Sequence, residues 1–187
     1  MKRNKYYEKV IAHYVSNWGN PFSENRWNKG PVHDLDKNFH ILEFELTETR
    51  NMWTYATCGM SALSDLHPVE LHLFSEDRDE GLVELLTIVA HYHNTAQKLD
   101  LGHTANFGRS WKKDSKCTYG LISLPYLDGP NVENLKLGEG KSVGFYWLIP
   151  VTEKEAIFKK DHGIEALENK FEQKQFNYLN PERSSVI

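Results

Sequence analysis

Hydrophobic and polar positions alternate along this chain with two periods, and the clearest segment is Val143 to Ile149, an almost unbroken apolar run rich in β-branched and aromatic residues. Seven residues is strand length, and apolar character on both faces predicts a strand buried on both sides. Pro150 has no N–H for a ladder, so the strand is expected to stop there. Thr152 lies three residues before Glu155, the spacing of a capping box that opens a helix. At the other end of the chain Tyr6, Tyr7, Val10, Ile11, Tyr14, Val15 and Trp18 recur every three or four residues and predict an amphipathic helix from Asn4 to Trp18, stopped by Gly19.

A polar loop from Gly19 to Asp36 leads to three strand-like runs, Phe39 to Leu46, Met52 to Met60 and Val69 to Phe74, whose short connections favour an antiparallel meander. In the third, Glu70 and His72 alternate with Val69, Leu71 and Leu73, which predicts a polar face meeting water or a partner. Leu82, Leu85, Leu86, Val89 and Tyr92 place a helix over Asp79 to Gln97, Lys98 to Ser115 reads as a second polar loop, and Thr118 to Leu124 reads as a strand. Pro125 to Lys141 reads as a connection, and the helical pattern of Ala156 to Gln173 is split by Asp161-His162-Gly163. The order predicts one α+β domain over residues 1–187: a mixed, mainly antiparallel sheet of about five to six strands covered by helices.

Composition adds little to this picture except in the placement of charge. The net charge is only −4, yet residues 51–100 carry eight acidic residues against two basic ones. Asp79, Glu80 and Glu84 suit the positive end of the predicted helix, whereas Asp65 and Glu70, which flank a strand start, get no help from that dipole. Neither a long apolar run nor a signal-peptide block is visible, which predicts a cytoplasmic protein with no membrane contact. Cys58 and Cys117, each inside a predicted strand without partners at ligand spacing, read as free buried thiols in a reducing compartment.

The residues offer little catalytic chemistry. His91 and His93 are two apart on a predicted helix and point about 200° from each other, so they cannot share one ion. No H-E-x-x-H, phosphate-binding glycine loop or nucleophile elbow occurs. The expectation is no metal and no cofactor. The route left to a metal gathers His67, His72, His103 and Glu70 from separate elements, and a hydrolase would use His72, His103 and Glu70. Leu101 to Trp111 mixes His103, Asn106, Arg109 and Trp111, which suits either a self-packed loop or a recognition surface, since Arg beside an aromatic is common in interface hot spots. Asp114 interrupts the basic cluster of Lys112, Lys113 and Lys116, so direct nucleic-acid binding is not expected.

Five blocks, W-T-Y-A-T-C-G-M-S (Trp53 to Ser61), V-E-L-H-L-F-S (Val69 to Ser75), L-V-E-L-L-T-I-V-A-H-Y-H (Leu82 to His93), Y-G-L-I-S-L-P-Y-L-D (Tyr119 to Asp128) and F-Y-W-L-I-P-V-T-E-K-E (Phe145 to Glu155), resemble in content and order the suppressor-of-fused domain. In animals that domain is the N-terminal half of a two-domain protein that sequesters transcription factors. The chain is similar to the short bacterial form, many members of which are immunity proteins or antitoxins. The resemblance implies no enzymatic activity, and it points to Ala62 to Pro68, with Asp65 and His67, as the region near a partner. The expectation is therefore a non-enzymatic immunity protein, monomeric or weakly dimeric, that binds a cognate toxin, basic and possibly a nuclease. The contact residues expected are Asp65, His67, Glu70, His72, Asp77, Glu80, His103, Asn106, Arg109 and Trp111. The alternatives are a regulator that sequesters a transcription factor, and the hydrolase.

Overall fold

The computed structural model describes residues 3–30, 32–61, 65, 67–138 and 140–187. Helix α1 spans Arg3–Trp18 and is followed by β1 (Ser23–Asn25), β2 (His40–Phe44), β3 (Trp53–Cys58) and β4 (Val69–Ser75). Helix α2 (Gly81–Thr95) leads to β5 (Thr104–Asn106), β6 (Cys117–Ser123), a short α3 (Pro130–Glu133), β7 (Asn134–Gly138) and β8 (Lys141–Thr152), and the chain closes with α4 (Glu153–His162) and α5 (Ile164–Lys174). The fold is α+β, as the pattern predicts.

One sheet runs in the order β1-β2-β3-β4-β8-β6-β5, with β7 paired to β8 off this path. All pairings are antiparallel except β4 with β8, which is parallel. The sheet has eight strands rather than five or six because β1, β5 and β7 are short pieces within segments that read as loops. Strand β8 is the spine: β7 pairs Lys141 to Gly144, β6 pairs Trp147 to Thr152, and β4 pairs Gly144 to Trp147.

Strand β8 does not stop at Pro150. Residue 150 pairs with Gly120 of β6, and its carbonyl accepts from Nη2 of Arg183 at 2.9 Å. The N and C=O of one extended residue leave the strand on the same side, so the ring nitrogen of Pro150 also faces away from β6 and no rung is lost. Pro150→Ala should therefore change stability by about 1 kcal/mol or less in a denaturant melt.

Alternation along β8 sorts the core. Val143 and Phe145 pack with Tyr6, Val10 and Tyr14 of α1, and Trp147, Ile149 and Val151 pack with Leu167 and Phe171 of α5. On the opposite face Leu148 joins Leu71, Leu73 and the α2 residues Leu82, Leu85, Leu86 and Val89. Helices thus cover both faces, and the expected polar face of β4 does not exist: all seven of its residues are buried, Glu70 and His72 at 0% exposure. The capping box is present, with Thr152 Oγ1 accepting from Glu155 N at 3.3 Å and Glu155 Oε2 accepting from Thr152 N at 2.7 Å. Cys58 and Cys117 are buried free thiols. None of the described helices is long and apolar enough to cross a membrane.

Candidate functional site

Two buried polar centres lie on the α1 face of the sheet. The first forms where the β3–β4 ladder ends: pairing runs from Trp53 with Ser75 to Ala56 with His72, and the chain then turns at Gly59 with φ of 90°. The main-chain amides freed by the turn go to the Glu70 carboxylate. Oε1 accepts from Gly59 N at 2.8 Å and from the Tyr6 hydroxyl at 2.7 Å, while Oε2 accepts from Met60 N at 3.2 Å and the Thr57 hydroxyl at 2.6 Å. Burial pushes Glu70 up to about 7, and the four donors pull the other way. Residue 59 must be glycine on two counts: positive φ, and a Cβ that would fall 2.2 Å from the Tyr7 ring.

Ser61 completes this turn. Its hydroxyl donates to Val69 O at 2.9 Å, accepts from Val69 N at 2.7 Å and lies 3.2 Å from His93 Nε2. His93 Nδ1 accepts from Leu99 N at 2.9 Å, and burial holds this imidazole below its usual pKa. The G-M-S block is thus an internally stapled turn.

The second centre gathers His72, Arg50, Trp18 and Asp128. Asp128 Oδ1 is paired with Arg50 Nη1 and accepts from Trp18 Nε1 at 2.8 Å, and its Oδ2 lies 3.6 Å from His72 Nε2. The Arg50 guanidinium sits 4.8 Å from the Trp18 ring centroid and 4.9 Å from that of Phe74. Burial pushes His72 down to about 3; Asp128 opposes the shift and Arg50 adds to it. The imidazole is neutral at physiological pH.

These placements correct several expectations. Glu70 and His72 touch no solvent, so neither can contact a partner or steer one. Both sit on one strand face, yet their partner sets are separate, and His103, whose Nδ1 accepts from Asp100 N at 3.2 Å, shares no hydrogen bond with either. The hydrolase trio is not assembled. No group of three or more His, Cys, Asp or Glu among the described residues is placed to hold a metal ion.

The acidic quarter does not form one face. Asp65 and the exposed His67 precede the start of β4, whereas the exposed Asp77 and Glu80 follow its end, roughly 20 Å away for a seven-residue strand. Asp65 pairs with Lys98 at 2.8 Å and lies 3.6 Å from His93. Residues 62–64 and 66 of the stretch from Ala62 to Pro68 lie outside the described residues. Near Asp77 and Glu80 the charge is mixed: Arg78 pairs with Glu43 at 2.8 Å, Arg109 with Glu84 at 3.2 Å, and Lys112 donates to Ser75 Oγ at 3.0 Å.

The loop from Leu101 to Trp111 is largely self-packed. Trp111 is 1% exposed within the α2-side core, so it is no interface anchor. Arg109 donates to Gly81 O at 2.7 Å and so holds the loop to the start of α2. Asn106 is exposed and caps the turn at Gly108 N, at 2.8 Å. Sequence reading missed Arg50, Asp128 and Arg183, which carry no local signature because their partners are brought to them by topology.

Comparison with known proteins bears on this arrangement. Residues 36–184 match the model of the suppressor of fused protein family. Among solved structures, a protein described as a suppressor of fused homologue from Neisseria gonorrhoeae aligns with a TM-score of 0.84 and 27% identity over 98% of each chain. A chain of a Sufu–Fu complex aligns with a TM-score of 0.67 and 15% identity, over 98% of this chain and 91% of that one. Drosophila Suppressor of Fused aligns with a TM-score of 0.64 and 17% identity, over 96% of this chain but 50% of that protein. A comparison with curated proteins finds no match. The turn at Gly59 and the helices α2, α4 and α5 lie within the matched span, and the chain belongs to the suppressor of fused family.

Proposed function

We propose that this chain is a non-enzymatic binding protein that neutralises a cognate toxin in the cytoplasm by covering the toxin's active surface. The observation that carries the reading is the fate of the chemically capable groups. Glu70 and His72 are locked at 0% exposure in structural networks, which leaves the surface as the part of the molecule able to act. Two comparisons support it. The Neisseria gonorrhoeae homologue matches end to end, which fits the short form whose members include immunity proteins. A chain of the Sufu–Fu complex shares the fold, and that complex is, by its name, an assembly of two proteins. On this reading residues 1–187 act as one domain, monomeric or weakly dimeric, without cofactor or metal.

Of the residues expected at the interface, His67, Asp77, Glu80 and Asn106 are exposed and Asp65, His103 and Arg109 are half-buried. These remain contact candidates. For a basic toxin, Asp77→Lys with Glu80→Lys should slow association several-fold and flatten its dependence on salt. Stability should shift by about 1 kcal/mol at most, because both side chains are exposed. Stopped-flow association at two ionic strengths reads the first effect and a denaturant melt the second. The reading itself is tested by expressing a toxin encoded beside this chain with and without it. Growth restored by this chain supports the proposal, and growth arrest unchanged by its expression overturns it.

A further inference from the structure

One groove has none of the contact residues expected from the sequence in its lining. It is a cavity of about 740 Å³ with a floor of Trp147, Ile149, Phe171 and Phe176, and its walls are α5 and the segment Tyr126–Leu127. That volume falls within the range of ~300–1,000 Å³ typical of ligand sites. Tyr126 is 58% exposed and Leu127 46%, two large side chains side by side at its rim, which is unusual for a surface with nothing to meet.

Its charge has one sign. Glu165, Glu168 and Glu172 line the groove and no Lys or Arg does. Their spacing of three and four puts all three on one stripe of α5. Glu165, in the first turn, suits the positive end of the helix, whereas Glu168 and Glu172, four apart, are like charges so placed as to weaken a helix. Glu168 is held by Ser123 Oγ at 2.5 Å and the Tyr126 hydroxyl at 3.2 Å, while Glu165 and Glu172 are exposed. The carboxylates nearby also raise the Tyr126 pKa, after desolvation. Trp147, 4% exposed, is fixed in this floor by Phe74 and Tyr178, whose ring centroids each lie 5.2 Å from its own.

We infer that this groove docks an extended basic segment of a partner protein, with one large apolar side chain on the aromatic floor and flanking Lys or Arg residues on the α5 carboxylates. An extended segment fits better than a single cation for a geometric reason. The three acids are strung over roughly 10 Å of helix axis, at 1.5 Å per residue, and alternate residues of an extended chain repeat every ~6.6 Å. The inference rests on the reading of the chain as a binding protein, and it names a surface for that role.

The probe is a random twelve-residue peptide library displayed on phage and selected on the immobilised full chain. The most enriched sequence is then synthesised with a fluorescent label for anisotropy. Enriched peptides should pair at least two Lys or Arg with a Leu, Phe, Tyr or Trp, and Glu165→Gln with Glu172→Gln should weaken binding at least tenfold. Leu127→Ala should weaken it several-fold. Both variants change exposed side chains, and matching circular dichroism and melting temperature show that they fold. Hydrogen exchange with bound peptide should slow in residues 164–178. Enriched peptides without basic residues, affinities indifferent to both variants, protection confined to other segments, or no enrichment at all would each overturn the inference. Because no toxin enters this assay, its failure leaves growth rescue standing, and a failure of rescue leaves the peptide result standing.

Discussion

Glu70→Ala is expected to destabilise the protein by about 4 kcal/mol, a large share of the ~5–15 kcal/mol that holds a domain folded. The substitution strands four donors at once, the Tyr6 and Thr57 hydroxyls and the amides of Gly59 and Met60. Each buried donor left unmade costs about 1–3 kcal/mol. One effect opposes this. With its pKa raised to about 7, the buried carboxylate is itself unfavourable when ionised, by roughly 3 kcal/mol for the shift from the usual range. The loss of donors outweighs that relief because two of them are main-chain amides fixed by the turn. A denaturant midpoint that moves by less than about 1 kcal/mol, as for an exposed glutamate, would show that Glu70 is not the hub of this turn.

The same residue predicts a pH signature with a definite sign. The unfolded glutamate ionises near its model value of 4.5 and the folded one near 7, so between these values the native state carries the extra proton. Its contribution to stability therefore falls as pH rises from about 4.5 to about 7, by roughly 3 kcal/mol. His72 acts in the opposite sense. Its pKa drops from 6.5 to about 3 on folding, so the unfolded state takes up the proton and stability is lost as pH falls through that window. The two slopes partly cancel in the wild type. Subtracting melts of Glu70→Gln from those of wild type at pH 4.5, 6 and 7 isolates the first. The wild-type advantage should shrink steadily with rising pH, and a difference independent of pH would contradict it.

Arg183→Ala should cost about 3–5 kcal/mol, the range for breaking a buried ion pair from one side. The guanidinium donates to Glu155 Oε1 at 2.7 Å, to Oε2 at 2.8 Å and to Pro150 O at 2.9 Å. Arg183 is 7% exposed and Glu155 0%. The same carboxylate accepts from Thr152 N and from Val186 N, at 2.7 and 2.9 Å, so one pair ties the end of β8, the start of α4 and the last residues of the chain together. Without Arg183 a buried carboxylate is left without its cation. Replacing both partners with Met should cost less than Arg183→Ala alone, since an apolar pair leaves no uncompensated charge. Thermal melts of the two variants, compared at pH 7, decide between that order and its reverse.

What the sequence shows of this fold is what lies within one element. The run from Val143 to Ile149, the stripe of α1 and the Thr152–Glu155 spacing are each set by neighbours a few residues apart, and each appears in the structure as read. The extension of β8 through Pro150 was not legible, because it depends on which side of the strand the ring nitrogen faces. Glu70 and His72 misled for a physical reason. Alternation in β4 identifies two faces but says nothing of whether a helix covers the second, and here α1 covers it with the Tyr6 hydroxyl aimed at Glu70. Trp111 beside Arg109 likewise reads as a hot spot or as core, and only the packing of α2 against the loop decides. The groove along α5 was hidden because its floor comes from β8 and its acids from a helix some twenty residues later.

The most direct test of the proposal that this chain acts by binding and not by catalysis is a titration of the chain against a fixed amount of the toxin proposed as its partner, while the toxin's own activity is followed. A binding protein removes activity linearly to an equivalence point set by the stoichiometry of the complex, and such a break is expected near one chain per toxin, with the protein recovered in the complex. Full inactivation by a small fraction of an equivalent, growing with time of incubation, would rule out action by binding alone and return catalysis to the molecule.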